Sequence, residues 1–393
     1  MTGRMLPAMP DAGAPPEASR APWLERLRDL RNRLIARPGF QRWAAAFPLT
    51  RPVARRHARE LFDLVAGFVY SQVLLACVRL DLFERLAAGP VAEAALAQEL
   101  GLGAEELQRL LAAAAALELV ERRAGGHVVL GRLGAPMVGN RAVCAMVEHH
   151  STLYADLADP LALLRRESQP GMAGYWPYAG HAAVGEGPSP AALPPERVAA
   201  YSALMSASQP LVTDEVLAVH DFSRYHVLLD VGGGEGGFLE AVARRAPRLR
   251  LMLFDLPAVA ERARWRLAAA GLAERAETHG GDFFHDELPR GADAISLVRV
   301  AFDHPDDRVL RLLQAARRAL VPGGTLLLAE PMSGVRGVEA MGDAYFGIYL
   351  LAMGRGRART AGELSALLHA AGFPQVRQVP TRMPLQAGLL VAQ

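Results

Sequence analysis

From about residue 224 onward the chain repeats one pattern, an apolar run of strand length followed by an amphipathic helical stretch. The runs are HVLLDV, LRLMLFDL, AETHGGDFF, DAISLVRV and GTLLLAEP, and between them fall GFLEAVARRA, AVAERARWRLAAAG and DRVLRLLQAARRAL. Strands that are apolar on both faces need helices on both sides, and parallel strands need helical crossovers. The alternation predicts a parallel, doubly wound α/β sheet over residues 221–393. Ligands of such a sheet bind beyond the carboxyl ends of its strands, beside the point where strand order reverses. The residues just after each strand are therefore the ones to read for chemistry.

After the first run comes LLDVGGGEGGF, residues 228–238, which has two registers. Gly232, Gly234 and Gly237 give the spacing that cradles a dinucleotide pyrophosphate. Asp230, Gly232, Gly234 and Gly236 give the spacing that holds S-adenosyl-L-methionine. In either register the glycines let backbone approach the ligand, and the helix starting near Gly237 offers its first N–H groups. After the second run, in FDLP, Asp255 is placed to accept ribose hydroxyls, which both ligands carry, and Leu256 beside it is a further cofactor-binding candidate. After the third, in GDFF, Asp282 and Phe283 suit an adenine. The alternative is a capping aspartate and a core phenylalanine. Before the fifth run, Pro322-Gly323-Gly324 reads as a tight turn. Asp230 separates the two registers. A carboxylate at the mouth of the loop repels a pyrophosphate, whereas it attracts the sulfonium and ammonium of S-adenosylmethionine.

The other charges exclude several chemistries. All 43 basic residues are arginine, against 41 acidic ones. With no lysine, Schiff-base catalysis and a phosphate-loop lysine are out. A net charge of +2 is not that of a nucleic-acid-type polycation. The two cysteines, Cys77 and Cys144, lie in apolar stretches without ligand spacing and read as buried free thiols. No metal site is expected.

Before the α/β region the chain changes character several times. Residues 1–21 are rich in Pro, Ala and Gly and read as disordered, with no signal peptide, so a cytoplasmic location is expected. Residues 22–59 are arginine-rich. Trp23, Leu27, Leu30 and Leu34 form one helical stripe, and Pro38-Gly39 ends it. Such a helix can lie on an anionic membrane or pack on the protein itself or a second subunit. Residues 60–150 begin with a helix apolar nearly all round, which suggests burial. Helix, turn, helix and two short strands around Gly125-Gly126 follow, the order of a winged helix. Its second helix carries Glu105, Glu106, Gln108 and Arg109, too acidic for phosphate contacts, so no nucleic-acid partner is expected. Residues 151–220 read as a linker with pocket helices, loop-rich to about 200. There Tyr154, Tyr175, Trp176 and Tyr178 either line an apolar cavity or fill space between domains. No run of about 18 uncharged apolar residues appears, so no spanning helix is expected.

Taken in order, LLDVGGGEGGF, FDLP, GDFF, LVPGG and RARTAGELSALLHAAGF resemble the cation-independent, S-adenosylmethionine-dependent O-methyltransferases from about residue 60 to 393. The resemblance implies a Rossmann-like class I methyltransferase domain preceded by a mostly helical winged-helix dimerisation domain, and a homodimer. Within the family, HHSTLYADLADPLALLR, GYWPYA and YSALMSASQPLVTDEVL are most similar to the branch that methylates the tertiary hydroxyl of carotenoids. That implies a long hydrophobic polyene acceptor supplied from the membrane side. By position Asp230 and Gly232–Gly236 would face the methionine part, Asp255 the ribose, and Asp282 with Phe283 the adenine. Arg299 would sit nearby.

The catalytic stretch departs from the family. Plant-type members place a histidine base where this chain has Phe302, in AFDHPDD. Asp303 keeps the family aspartate, and His304 stands where a tryptophan is usual. Glu330 matches one of the two glutamates that orient the base, but Ala358 replaces the other. Two outcomes are open. His304 or Asp303 takes the proton from a shifted position. Otherwise proximity in a dry pocket does most of the work and the proton leaves late to water. His304 can also be a plain turn residue before Pro305. Phe68, Tyr70, Trp176, Met205, Tyr345 and Tyr349 are the candidate acceptor pocket, with plain core as the alternative. Three rivals stand beside this reading: a methyltransferase of phenols or polyketides, a nicotinamide oxidoreductase, and a DNA-binding regulator.

Overall fold

A computed structural model describes residues 22–175, 195–384 and 386–393. The described residues divide into two compact units, one reaching to Leu74 and the other starting at Leu75. The division falls inside the Arg51–Arg79 helix.

In the first unit, Pro22–Ile35 and Pro38–Ala46 are helices. Arg37, just before Pro38, is extended (ψ 120°), as the proline ring demands, and this separates the two. Thr50 Oγ1 donates to the Ala44 carbonyl at 2.8 Å and closes the turn into the long helix. Arg51–Arg79 is apolar enough to have suggested burial, yet of its residues only Leu75 and Cys77 are buried. Among the described residues it is also the one helix long and apolar enough to cross a membrane by length and composition, where none was expected. Its charge-free run, residues 64–78, is 15 residues long, short of the roughly 20 a span needs.

The second unit opens with a small sheet of three antiparallel strands in the order β1-β3-β2, where β1 is Val91–Ala92, β2 Val120–Arg123 and β3 His127–Leu130. Helices Glu93–Leu100 and Ala104–Ala116 lie between β1 and β2. Gly125 and Gly126, both at positive φ, make the β2–β3 turn. Residues 151–175, expected to be loop-rich, are largely helical: Arg141–Asp156, Pro160–Leu164 and Gly171–Tyr175. The first runs through residue 150. Asn140 caps it, accepting from the Val143 N–H.

The large sheet has, among the described residues, seven strands in the order β6-β5-β4-β7-β8-β10-β9. They are β4 Val227–Val231, β5 Arg250–Asp255, β6 Ala276–Gly280, β7 Ala292–Val298, β8 Leu320–Glu330, β9 Val376–Val379 and β10 Gly388–Ala392. The first five in chain order are parallel, as their apolar runs led one to expect. The last two were not foreseen, and β10 runs antiparallel to both β8 and β9. Pro322-Gly323-Gly324 is not a turn before β8 but an irregularity within it, between the Ala292–Leu320 and Ala294–Thr325 pairs. Both faces are covered. Phe238, Val242, Ala263 and Leu267 belong to one core, and Val309, Leu312, Leu364 and Leu368 to the other. Strand order reverses between β4 and β7, which sets the loops after these two strands side by side.

Candidate functional site

The loop after β4 is shaped by glycines where no other residue is comfortable. Gly232, Gly234 and Gly236 have φ of 69°, 57° and 82°. A methyl group on Gly232 would fall 2.7 Å from Val300 Cγ2, so the loop lies directly against the segment after β7. Gly236 caps the Gly237–Arg245 helix, whose first N–H groups have no partner within the helix.

Asp230 sits beneath this loop rather than at its mouth. It is buried, it accepts from Ser296 Oγ at 2.6 Å, and its Oδ2 lies under Gly233. Burial pushes its carboxyl up to about 7. The Ser296 hydrogen bond opposes that shift and the neighbouring Asp255 charge adds to it. A cation above the loop would relieve both penalties. Asp255 uses Oδ2 to accept from the Gly234 N–H (2.8 Å) and Oδ1 to accept from the Leu256 N–H (2.7 Å). The buried, cation-seeking carboxyl and this acceptor fit a cationic nucleoside.

Asp282 accepts from the Phe284 N–H at 2.9 Å and pairs with His285 Nδ1 at 2.8 Å, and Phe283 is core. Arg299, at φ 56°, reaches away to the Pro195–Val219 helix. It donates to Ser208 Oγ, Gln209 Oε1 and the Met205 carbonyl at 2.8–3.1 Å, and so ties that helix to the end of β7.

Next to Arg299 is a cavity of about 260 Å³ with almost wholly apolar walls. It collects Met146 and His149, Met205 and Leu211, Phe302 and Asp303, and Tyr345, Phe346 and Tyr349 from four separate stretches of chain. Of the expected pocket residues, Met205, Tyr345 and Tyr349 meet here. Phe68 and Tyr70 do not. Both belong to the first unit, and Phe68 is 66% exposed. Trp176 and Tyr178 lie outside the described residues.

Two histidines were not singled out from the sequence: His149, in this wall, and its neighbour His150, behind Tyr345. His149 Nε2 lies 3.0 Å from Tyr349 Oη, and His150 Nε2 lies 2.7 Å from Tyr345 Oη. Burial pushes His149 down to about 4 and Tyr345 up to about 12, so both pairs are neutral hydrogen bonds at pH 7. The available signal was the i, i+4 spacing of the tyrosines on one helical face.

The catalytic stretch is held from behind. Glu330, at the end of β8, accepts from the backbone N–H groups of Val300, Ala301 and Phe302. Arg359, fully buried, donates to the carbonyls of Ala301 and His304 and to Asp306. Glu330 therefore positions the loop from behind; it is not among the residues lining the cavity. His304 is likewise misplaced for a base. Its ring packs edge-on to Phe283 and Phe284, with centroids 5.7 and 4.8 Å apart, and it does not line the cavity. Burial, with Arg308, Arg355 and Arg359 nearby, pushes it down to about 3, too weak to hold a proton at neutral pH. Asp303 does line the cavity. Burial and the Glu330 charge raise its carboxyl well above the usual range, against the pull of Arg299.

Two family models match the chain: an O-methyltransferase dimerisation domain over residues 62–147 and an O-methyltransferase domain over residues 155–374. The chain belongs to the O-methyltransferase family. It is a methyl-transferring enzyme with S-adenosylmethionine as cofactor, and the nicotinamide reading of the glycine loop falls. Demethylspheroidene O-methyltransferase of Cereibacter sphaeroides is 46% identical over 92% of this chain and 93% of its own length. Its namesake from Rhodobacter capsulatus is 40% identical over 88% and 84%. The structure of human N-acetylserotonin methyltransferase, solved with S-adenosylmethionine, superimposes with a TM-score of 0.70 at 25% identity, covering 86% of this chain and 97% of that one. The Cereibacter match leaves 8% of this chain uncovered, about 31 residues, fewer than the 61 that precede the dimerisation model. It therefore reaches into the segment before that model.

Proposed function

We propose that this enzyme methylates a hydroxyl at one end of a long apolar polyene, a carotenoid of the demethylspheroidene type, and does so as a homodimer at a membrane surface. The observation that carries the reading is the small apolar cavity with Phe302 in its wall, at the position where phenol-methylating members carry a histidine. A phenol yields its proton readily to such a base, and here an apolar ring stands in that place. About 260 Å³ holds the end of a polyene rather than its whole length. The names of the Cereibacter and Rhodobacter relatives agree with that acceptor.

On this reading Asp230, Gly232, Gly234, Gly236, Asp255 and Leu256 hold the cofactor. When bound, S-adenosylmethionine supplies an electrophilic methyl group on a sulfonium. The chain's own residues do the remaining work. The Met146, Phe302, Phe346 and Tyr349 walls exclude water and hold the hydroxyl in place. Asp303 receives the proton. Its raised pKa makes it a far better base than an ordinary carboxylate, and a proton there relieves its repulsion with Glu330. Glu330 and Arg359 keep Phe302 and Asp303 in the wall.

The test is product analysis by mass spectrometry. The enzyme is given the cofactor and, in parallel, a detergent-dispersed tertiary hydroxycarotenoid and a simple phenol. A single added methyl on the carotenoid hydroxyl is expected. Methylation of the phenol alone would overturn the reading.

A further inference from the structure

The basic arm of residues 22–59 takes no part in the chemistry above. We propose that it is a docking surface for an anionic lipid bilayer. It lies in the headgroup layer with its apolar stripe inward. The polyene reading gives this arm its purpose, but its geometry stands without that reading.

The sequence left the partner of the Pro22–Ile35 stripe undecided. In the structure the stripe is open: Trp23, Leu27, Leu30 and Leu34 are 59%, 53%, 64% and 41% exposed. At about 100° per residue these four share one narrow sector of the helix. Arg26 and Arg33 border it on one side and Arg31 on the other. The helix's two acidic residues, Glu25 and Asp29, fall on the opposite face. Arginines flanking an apolar stripe can spread their stems along it and lift their guanidinium groups to phosphate level. The next helix extends the surface with aromatics, which favour the headgroup boundary. Trp43 stacks on Phe47 at 5.2 Å, and both rings are exposed.

Charge selects the occupant. Residues 22–59 carry ten arginines against Glu25 and Asp29. The same arm of a second copy would bring the same positive charge and be repelled. Anionic lipid headgroups attract each arginine within a Debye length of the surface. The arm also lies before the residues matched by the dimerisation model.

The experiment is vesicle flotation of the full-length protein. One set of vesicles contains phosphatidylcholine alone, and the other equal parts phosphatidylcholine and phosphatidylglycerol. The protein is expected to float with the anionic vesicles, to bind the neutral ones much more weakly, and to lose anionic binding in high salt. Two variants separate the contributions. Leu27→Glu with Leu30→Glu breaks the stripe. Arg26→Ala with Arg31→Ala and Arg33→Ala keeps the helix and should lower partitioning about a hundredfold. Activity on a detergent-dispersed acceptor and the sedimentation coefficient should not change in either. Equal binding to both vesicle types, or by both variants and the parent, overturns the proposal. Variants that dissociate the protein into single copies also overturn it, in favour of a second copy as occupant. Flotation does not depend on the acceptor. A polyene that fails as substrate while flotation holds removes the substrate reading alone, and the reverse removes only the docking surface.

Discussion

Asp230 shows how much one buried residue can decide. The sequence places a carboxylate at the head of a glycine loop, which is enough to prefer a cation over a pyrophosphate. Its depth, its Ser296 partner and its closeness to Asp255 were not legible, because they depend on β4, β5 and β7 lying side by side. Folding raises its pKa to about 7, so the folded chain holds this proton more tightly than the unfolded chain does. Its ionisation therefore opposes folding as pH rises through about 7. A bound cation reverses that, because it favours the ionised form. Affinity for S-adenosylmethionine should then fall about tenfold from pH 8 to pH 6, one decade per unit below the pKa, and level off above pH 8. Titration calorimetry across that range checks it. Asp230→Asn should bind more weakly at pH 8 and show no such slope. At the other end of the site, Asp303→Asn should lower kcat by at least about a hundredfold, and His304→Ala by less than tenfold. Equal losses in the two variants would return His304 to the chemistry.

At the scale of elements, the sequence exposed whatever has a short-range cause. Five parallel strands announce themselves by apolar runs, and the first helices by their stripes and prolines. What it hid was pairing over distance. Strand β10 owes its place to β8, Gly388 lying opposite Glu330, and nothing in GLLVA names that partner. His149 and Tyr349 are likewise 200 positions apart in the chain. The segment behind the catalytic stretch is another such case. Gly356, at φ 73°, packs so closely that a side chain would overlap the Phe302 carbonyl and the Asp303 backbone. The neighbouring Arg357 N–H donates to that carbonyl at 3.0 Å. Neither partner can yield, because Glu330 and Arg359 grip the same loop. Gly356→Ala should combine left-handed strain with this overlap and cost on the order of 2–4 kcal/mol in denaturant unfolding. kcat should fall with it, as Phe302 and Asp303 are pushed in the cavity wall. A variant of full stability and unchanged kcat would show that the loop does not need this contact.

At the scale of the whole molecule, the helices of residues 22–78 leave apolar surface open in a single copy in two stretches, and their charges tell them apart. Residues 22–59 are crowded with arginine. Residues 60–78 contain Glu60 and Asp63 and no arginine at all. On that second stretch Leu61, Phe62, Leu64, Val65 and Phe68 are all exposed. A neutral apolar face of this kind gains little from lipid phosphates, but two copies can bury it against each other without repulsion. It also lies where the dimerisation model begins. The same apolar character explains why composition alone marks this helix as able to cross a membrane. The two surfaces should therefore fail independently. Phe62→Glu with Phe68→Glu places uncompensated charge in the interface between copies. At a cost on the order of 3 kcal/mol, the dimer constant should weaken by at least about a hundredfold. Sedimentation equilibrium should then find single copies, while flotation with anionic vesicles persists through the intact arm. Loss of flotation together with dimerisation would mean that the arm and the long helix act as one surface, and the division by charge would be wrong.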